Sequence, residues 1–122
     1  MRTLFFLSIL LVNFSCSPKE LPTSIVLNDN VIEVKFSYMT TKDEMIEVKS
    51  QLKDQYNIEM QFEGSRFFEN GKLRDLNLKV TLPNGTGGTT SSMYAILETK
   101  YVGFRIRQNE EDTPLQIGTL SS

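Results

Sequence analysis

The 122-residue chain has no histidine, no tryptophan and a single cysteine. Without histidine it lacks the commonest general base, the commonest zinc ligand and the usual near-neutral pH switch. One cysteine excludes an intramolecular disulfide, a thiolate metal cluster and a CxxC redox pair. An excess of positive charge is missing too. Thirteen basic against 15 acidic residues leave a net charge of −2, so no nucleic acid is expected as a partner, since that contact needs a basic stripe. The length fits one small domain. Together these absences point away from an enzyme, with no catalytic residue, no cofactor and no metal expected.

Long hydrophobic runs are also scarce. The longest, Leu4 to Val12, is apolar except for Ser8 and follows the single charge of Arg2. It falls well below the roughly 20 residues of a spanning helix. A short apolar core behind one positive charge, ending at the small residue Ser15, has the form of a secretory signal. The cysteine stands directly after that junction.

Ser15-Cys16 resembles the lipobox of bacterial lipoproteins, whose thiol is diacylated before cleavage and whose new amine is then acylated. Typical boxes carry Leu three residues before the cysteine and a small residue two before it; here Asn13 and Phe14 stand in those places. Ser17 after the cysteine, rather than Asp, resembles outer-membrane sorting. The resemblance implies lipidation at Cys16 and attachment to the outer membrane of a Gram-negative envelope, facing the periplasm or the exterior. A free thiol in an oxidising compartment is otherwise an odd leftover, and several acyl chains anchor a protein stably where one is marginal.

The expected organisation is a signal peptide over 1–15, a lipid-anchored tether over 16–30, a domain over 31–108 and a flexible tail over 109–122. Pro18, Pro22 and Asn28-Asp29-Asn30 mark the tether, within which Ile25-Val26-Leu27 allows a short edge strand. Ile32, Val34, Phe36 and Tyr38 alternate with polar residues as a half-buried strand. Thr41-Lys42-Asp43-Glu44 has the form of a capping box. Met45, Val48, Leu52 and Tyr56 then fall on one helical face. Asn57 ends the helix, and Ile58, Met60 and Phe62 form a second strand. Asn70-Gly71 signals a hairpin, followed by a strand with Leu76, Leu78, Val80 and Leu82 on one face. Pro83-Asn84-Gly85 makes a turn, Thr89 to Leu97 reads as extended, and Val102, Phe104 and Ile106 alternate in a last strand. The expected class is α+β: a two-layer sandwich with one helix on a mixed four- to five-stranded sheet, half-ferredoxin-like in β-α-β-β-β order. The strands flanking the helix are expected to be parallel through a right-handed crossover.

From Val31 to Arg107 the chain resembles the small C-terminal periplasmic module of the beta-lactam-sensor-like, antirepressor-type membrane metallopeptidases. The resemblance is carried by Thr41, the run from Glu47 to Lys53, Ile58-Glu59-Met60-Gln61-Phe62, Asn70-Gly71 and Leu76-Asn77-Leu78-Lys79-Val80. Asn84-Gly85 and Thr89-Thr90-Ser91-Ser92 also fit. It implies a free-standing accessory envelope module; without histidine no H-E-x-x-H can exist, so no peptidase residue carries over.

Other motifs carry less. Glu59 and Glu63 share a strand face, where period two already places polar residues. Glu110-Glu111-Asp112 reads as a solvated charge run. Asn84-Gly85-Thr86-Gly87-Gly88 lacks the Gly-Lys-Ser/Thr ending of a phosphate loop, and Asn84-Gly85-Thr86 is a glycosylation sequon only in a eukaryotic secretory pathway. Arg105 and Arg107 are placed to pair with Glu33 or Glu59 across strands. Arg66, Phe67, Phe68 and Arg74 form the candidate contact surface, because neighbouring strand residues point to opposite faces and aromatics beside arginine anchor partners; a bulge burying both rings is the structural alternative. The expected role is a lipid-anchored, non-enzymatic module with an envelope protein partner, which an open sheet edge would favour. The alternative is a small-ligand or glycan-binding lipoprotein using the aromatic and glycine-rich hairpin end, which a pocket lined by Phe67, Phe68 or Tyr94 would favour.

Overall fold

The computed structural model describes residues 20–108 and 115–120; the signal segment with Cys16, and Glu110-Glu111-Asp112, lie outside them. Its elements in chain order are β1 (Ser24–Leu27), β2 (Val31–Phe36), α1 (Lys42–Tyr56), β3 (Glu59–Gln61), β4 (Arg66–Phe67), β5 (Leu73–Thr81), β6 (Gly87–Ser92), α2 (Tyr94–Leu97), β7 (Tyr101–Arg107) and β8 (Leu115–Leu120). The class is α+β, with one main helix packed on antiparallel sheets.

α1 forms where the sequence places it. Thr41 sits in extended backbone and its hydroxyl accepts from the Glu44 amide, while the Glu44 carboxylate accepts from the Thr41 amide, the reciprocal capping box. Asn57 closes the helix in the left-handed conformation at φ 55°. Met45, Val48 and Leu52 point inward and are fully buried. They meet Ile32, Val34 and Phe36 from β2, Leu76, Leu78 and Val80 from β5, and Val102, Phe104 and Ile106 from β7 in one core. Each such side chain contributes about 1.5–3 kcal/mol when taken out of water.

The expected parallel crossover is not formed. Every strand pairing among the described residues is antiparallel, in two sheets rather than one mixed sheet. The first runs β1-β2-β7-β8, and the second centres on β5 with β6 along one edge. The reason lies in cross-strand packing. β7 places Ile106, Phe104 and Val102 opposite Ile32, Val34 and Phe36, matching three large apolar pairs on one face, while β1 takes the other edge of β2. β3 and β4 pair instead with successive stretches of β5. Between them Gly64, at φ +90°, lets the chain bulge, and the Ser65 hydroxyl replaces a missing ladder partner by donating to the Asn77 carbonyl and accepting from its amide.

Both ends of the domain extend beyond the expected 31–108. The stretch assigned to a tether contains β1, the edge strand that Ile25-Val26-Leu27 allowed, and Leu21 is only 2% exposed. The stretch assigned to a flexible tail contains β8, which pairs with β7 from Tyr101↔Leu120 to Ile106↔Leu115. The expected strand over Thr89 to Leu97 divides into β6 and the helical turn α2.

Candidate functional site

One pole of the molecule is organised by a buried polar corner. Ser37 and Thr40, at the end of β2, are completely buried. The Thr40 hydroxyl accepts from the Ser37 amide at 2.9 Å, and the Thr40 amide donates to the Ser37 carbonyl at 3.1 Å. This closed turn grips the incoming chain: the Ser37 hydroxyl donates to the Leu21 carbonyl, and the Thr23 and Thr40 hydroxyls share a hydrogen bond of 2.8 Å. Tyr101 donates its hydroxyl to the Pro22 carbonyl at 2.7 Å, beneath the Lys35 ammonium. Leu73 and Lys42 amides donate to the Thr40 and Gly71 carbonyls, and the Tyr38 amide to the Leu97 carbonyl. Residues 21–23, the hairpin over 68–72 and α2 therefore gather around residues 37–42.

The four residues expected to form one contact surface are divided. A register shift between Arg66 and Phe67 turns Phe67 toward the core, where it stands edge-on to Phe62 at 6.3 Å beneath Lys42. Phe68 remains 40% exposed and meets Tyr94 of α2 edge-on at 5.1 Å. Burial pushes the Tyr94 hydroxyl pKa up, with Glu98 and Tyr38 nearby adding to it. Arg66 lies opposite Asp75 in register, and Arg74 bonds Asp75 at 3.1 Å; both arginines are exposed. The bulge thus half-buries one ring and leaves the other on the surface.

Two apolar surfaces stand out, and the first of them escaped the sequence reading. Beside Phe68 and Tyr94, α2 exposes Met93 (64%) and Ile96 (39%). The spacing Met93, Ile96, Leu97 is a helical one and was the available signal for this turn. The second surface is β1. Among the described residues it pairs with β2 alone, leaving its outer backbone edge open, and it exposes Ile25 and Val26.

Behind β1 the sheet is braced by charge. Val26, Glu33, Arg105 and Gln116 lie in one row across the four strands. Arg105 donates from Nε to Glu33 at 2.5 Å and reaches Gln116 at 3.3 Å, while Lys35 approaches the other Glu33 oxygen at 3.5 Å. Burial alone would raise the Glu33 pKa, but the Arg105 hydrogen bond and the two cations outweigh it and hold the carboxyl below its ordinary value. This is the cross-strand pairing expected of Arg105.

Open depressions mark the described surface. One of about 660 Å³ runs along β5 and β6 past Asp75, Asn77, Ser91, Ser92 and Met93. One of about 200 Å³ lies over Phe62 and Phe67, and one of about 270 Å³ between α1 and β3. Glu59 at that last site bonds Lys53 at 3.4 Å, and β3 ends at Gln61, so Glu59 and Glu63 do not share a strand. Among the described residues no three His, Cys, Asp or Glu side chains cluster as metal ligands, and no helix is long and apolar enough to cross a membrane. Comparison with protein-family models, with curated proteins and with solved structures finds no match to the chain.

Proposed function

We propose that the chain is a lipid-anchored protein of the Gram-negative cell envelope, attached to the outer membrane through Cys16, whose α+β domain acts without catalysis as an accessory module for another envelope protein. The observation that carries the interaction role is the open edge of β1. A partner that adds an extended segment there gains main-chain hydrogen bonds, while Ile25 and Val26 offer alternating apolar contacts on the two faces. The likeness of residues 31–107 to an accessory periplasmic module supports the same reading. The aromatic end is a weaker candidate for a ligand pocket, since Phe67 faces Phe62 and Phe68 faces Tyr94.

Site-specific photocrosslinking in the intact envelope tests the role. A photoreactive residue at Val26 is expected to capture one discrete protein, and the same residue at Ile46, exposed on α1, is not. Identical patterns from both positions would discard β1 as the binding edge. Intact mass tests the anchor: the membrane-extracted protein is expected to begin at Cys16 and carry acyl mass, and a soluble product with an unmodified thiol would discard it.

A further inference from the structure

We infer that the pole bearing Phe68, Met93, Tyr94 and Ile96 is the face that lies on the phospholipid surface, an inference that rests on the lipid anchor proposed at Cys16. The folded domain takes hold of the chain at Leu21, which is 2% exposed and bonded to Ser37 and Met39. Only five residue steps separate Leu21 from Cys16. Fully extended, they span at most about 18 Å.

The attachment point and the apolar patch share one pole. Leu21 joins residues 37–39, Tyr38 bonds Leu97 of α2, and Leu73 bonds Thr40 just after the hairpin that carries Phe68. The opposite pole lies at the far end of β5, whose run from Leu73 to Thr81 covers about 27 Å. A tether of that reach cannot turn the far pole, with Asp29 and Asn84, onto the bilayer. It does bring the Leu21 pole there.

The side chains at this pole suit the interface between headgroups and acyl chains. Phe68, Met93 and Ile96 are three of the exposed large hydrophobics among the described residues. Tyr94 adds an amphipathic ring. Exposed Lys72 and Lys100 flank the patch, yet exposed Glu69 and half-exposed Glu98 stand beside them. The contact is therefore apolar rather than electrostatic, and zwitterionic lipid suffices. Shallow apolar insertion of this kind supplements acyl chains by fixing orientation.

The chain has no tryptophan, so one introduced residue is a unique fluorescent reporter. Full-length Met93→Trp, Ile96→Trp and Asp29→Trp proteins, with acylation at Cys16 confirmed by intact mass, are placed in phosphatidylcholine vesicles with and without brominated acyl chains. Emission from positions 93 and 96 is expected to fall by about half or more in brominated vesicles, and from position 29 to stay unchanged. Two positions at the pole guard against one variant failing to fold. Acylated protein quenched equally at all three positions, or at none, would overturn the face assignment and leave the anchor standing. An unmodified Cys16 would overturn both. Unquenched emission at 93 and 96 that shifts to the blue as protein-to-lipid ratio rises would assign the patch to a second copy of the chain and also overturn the inference.

Discussion

Arg105 and Glu33 sit directly opposite one another on β7 and β2, and the guanidinium Nε donates to the carboxylate at 2.5 Å. Both side chains are largely shielded, at 18% and 17% exposure. A pair this enclosed escapes most of the solvent screening that makes surface pairs nearly worthless. Lys35 adds a second cation to the same carboxylate.

The pair has a pH signature. The Glu33 pKa is lowered in the folded state, so its stabilising contribution is present above the unfolded value, about 4.3, and disappears as pH falls through the folded value. Urea midpoints of Glu33→Gln should lie below wild type at pH 7, with a deficit of about 1–2 kcal/mol for a charge-assisted bond. That deficit should shrink as pH drops below about 4. A deficit independent of pH would show that the carboxylate charge is not what braces the sheet.

Gly103 is a tighter constraint. A methyl group there would stand 1.9 Å from the Val34 carbonyl oxygen on the paired strand. Gly103→Ala must push β2 and β7 apart, and thermal unfolding should report a loss of about 2 kcal/mol or more. Wild-type stability in this variant would mean the two backbones are not so closely apposed.

The buried corner predicts that the domain begins well before residue 31. Thr40→Val removes a hydroxyl bonded to both the Ser37 amide and Thr23 and should cost about 1–3 kcal/mol, because the amide is left buried without a partner. Leu21→Ala, which empties a site 2% exposed, should cost about 2–4 kcal/mol. Chemical denaturation measures both. Indifference to Leu21→Ala would restore residues 16–30 to the status of a loose tether.

β8 is open to the same kind of trial. Ending the chain after Gln108 removes the partner of β7 and exposes the inner face near Phe104 and Ile106. Native-state hydrogen exchange should then show lost protection at β7, with a fall of about 3 kcal/mol or more in global stability. Unchanged β7 protection would make β8 dispensable.

Local rules read the centre of this molecule well and its margins poorly. The α1 cap, the Asn57 terminus, the Asn70-Gly71 turn and the inward faces of β2, β5 and β7 all follow from period and capping chemistry in neighbouring residues. Which strands pair does not. The alternation in Ile58-Met60-Phe62 suits either edge of several partners, and β7, 70 residues downstream of β2, wins by matching three large side chains. β8 was hidden because its apolar residues fall on both faces of the strand. Leu115 and Ile117 face the core side with Ile106 and Phe104, whereas Leu120 lies opposite Tyr101, so no single alternation spans the segment. The contact residues were half legible: parity separates Phe67 from Phe68, but only the fold brings Phe68 against Tyr94 of α2.

Tyr101 has a mechanical meaning. Its hydroxyl holds Pro22, where the chain enters the fold, and its backbone lies opposite Leu120, where the described chain leaves. Tension applied to those two ends acts at one spot on the surface and peels β1 and β8 from the sheet pair by pair, starting at Ser24↔Lys35 and Tyr101↔Leu120. The central ladder between β2 and β7 carries none of that load until its flanks are gone. The outer strands thus act as sacrificial links under force, and Tyr101 is a clasp that must open before β1 can peel.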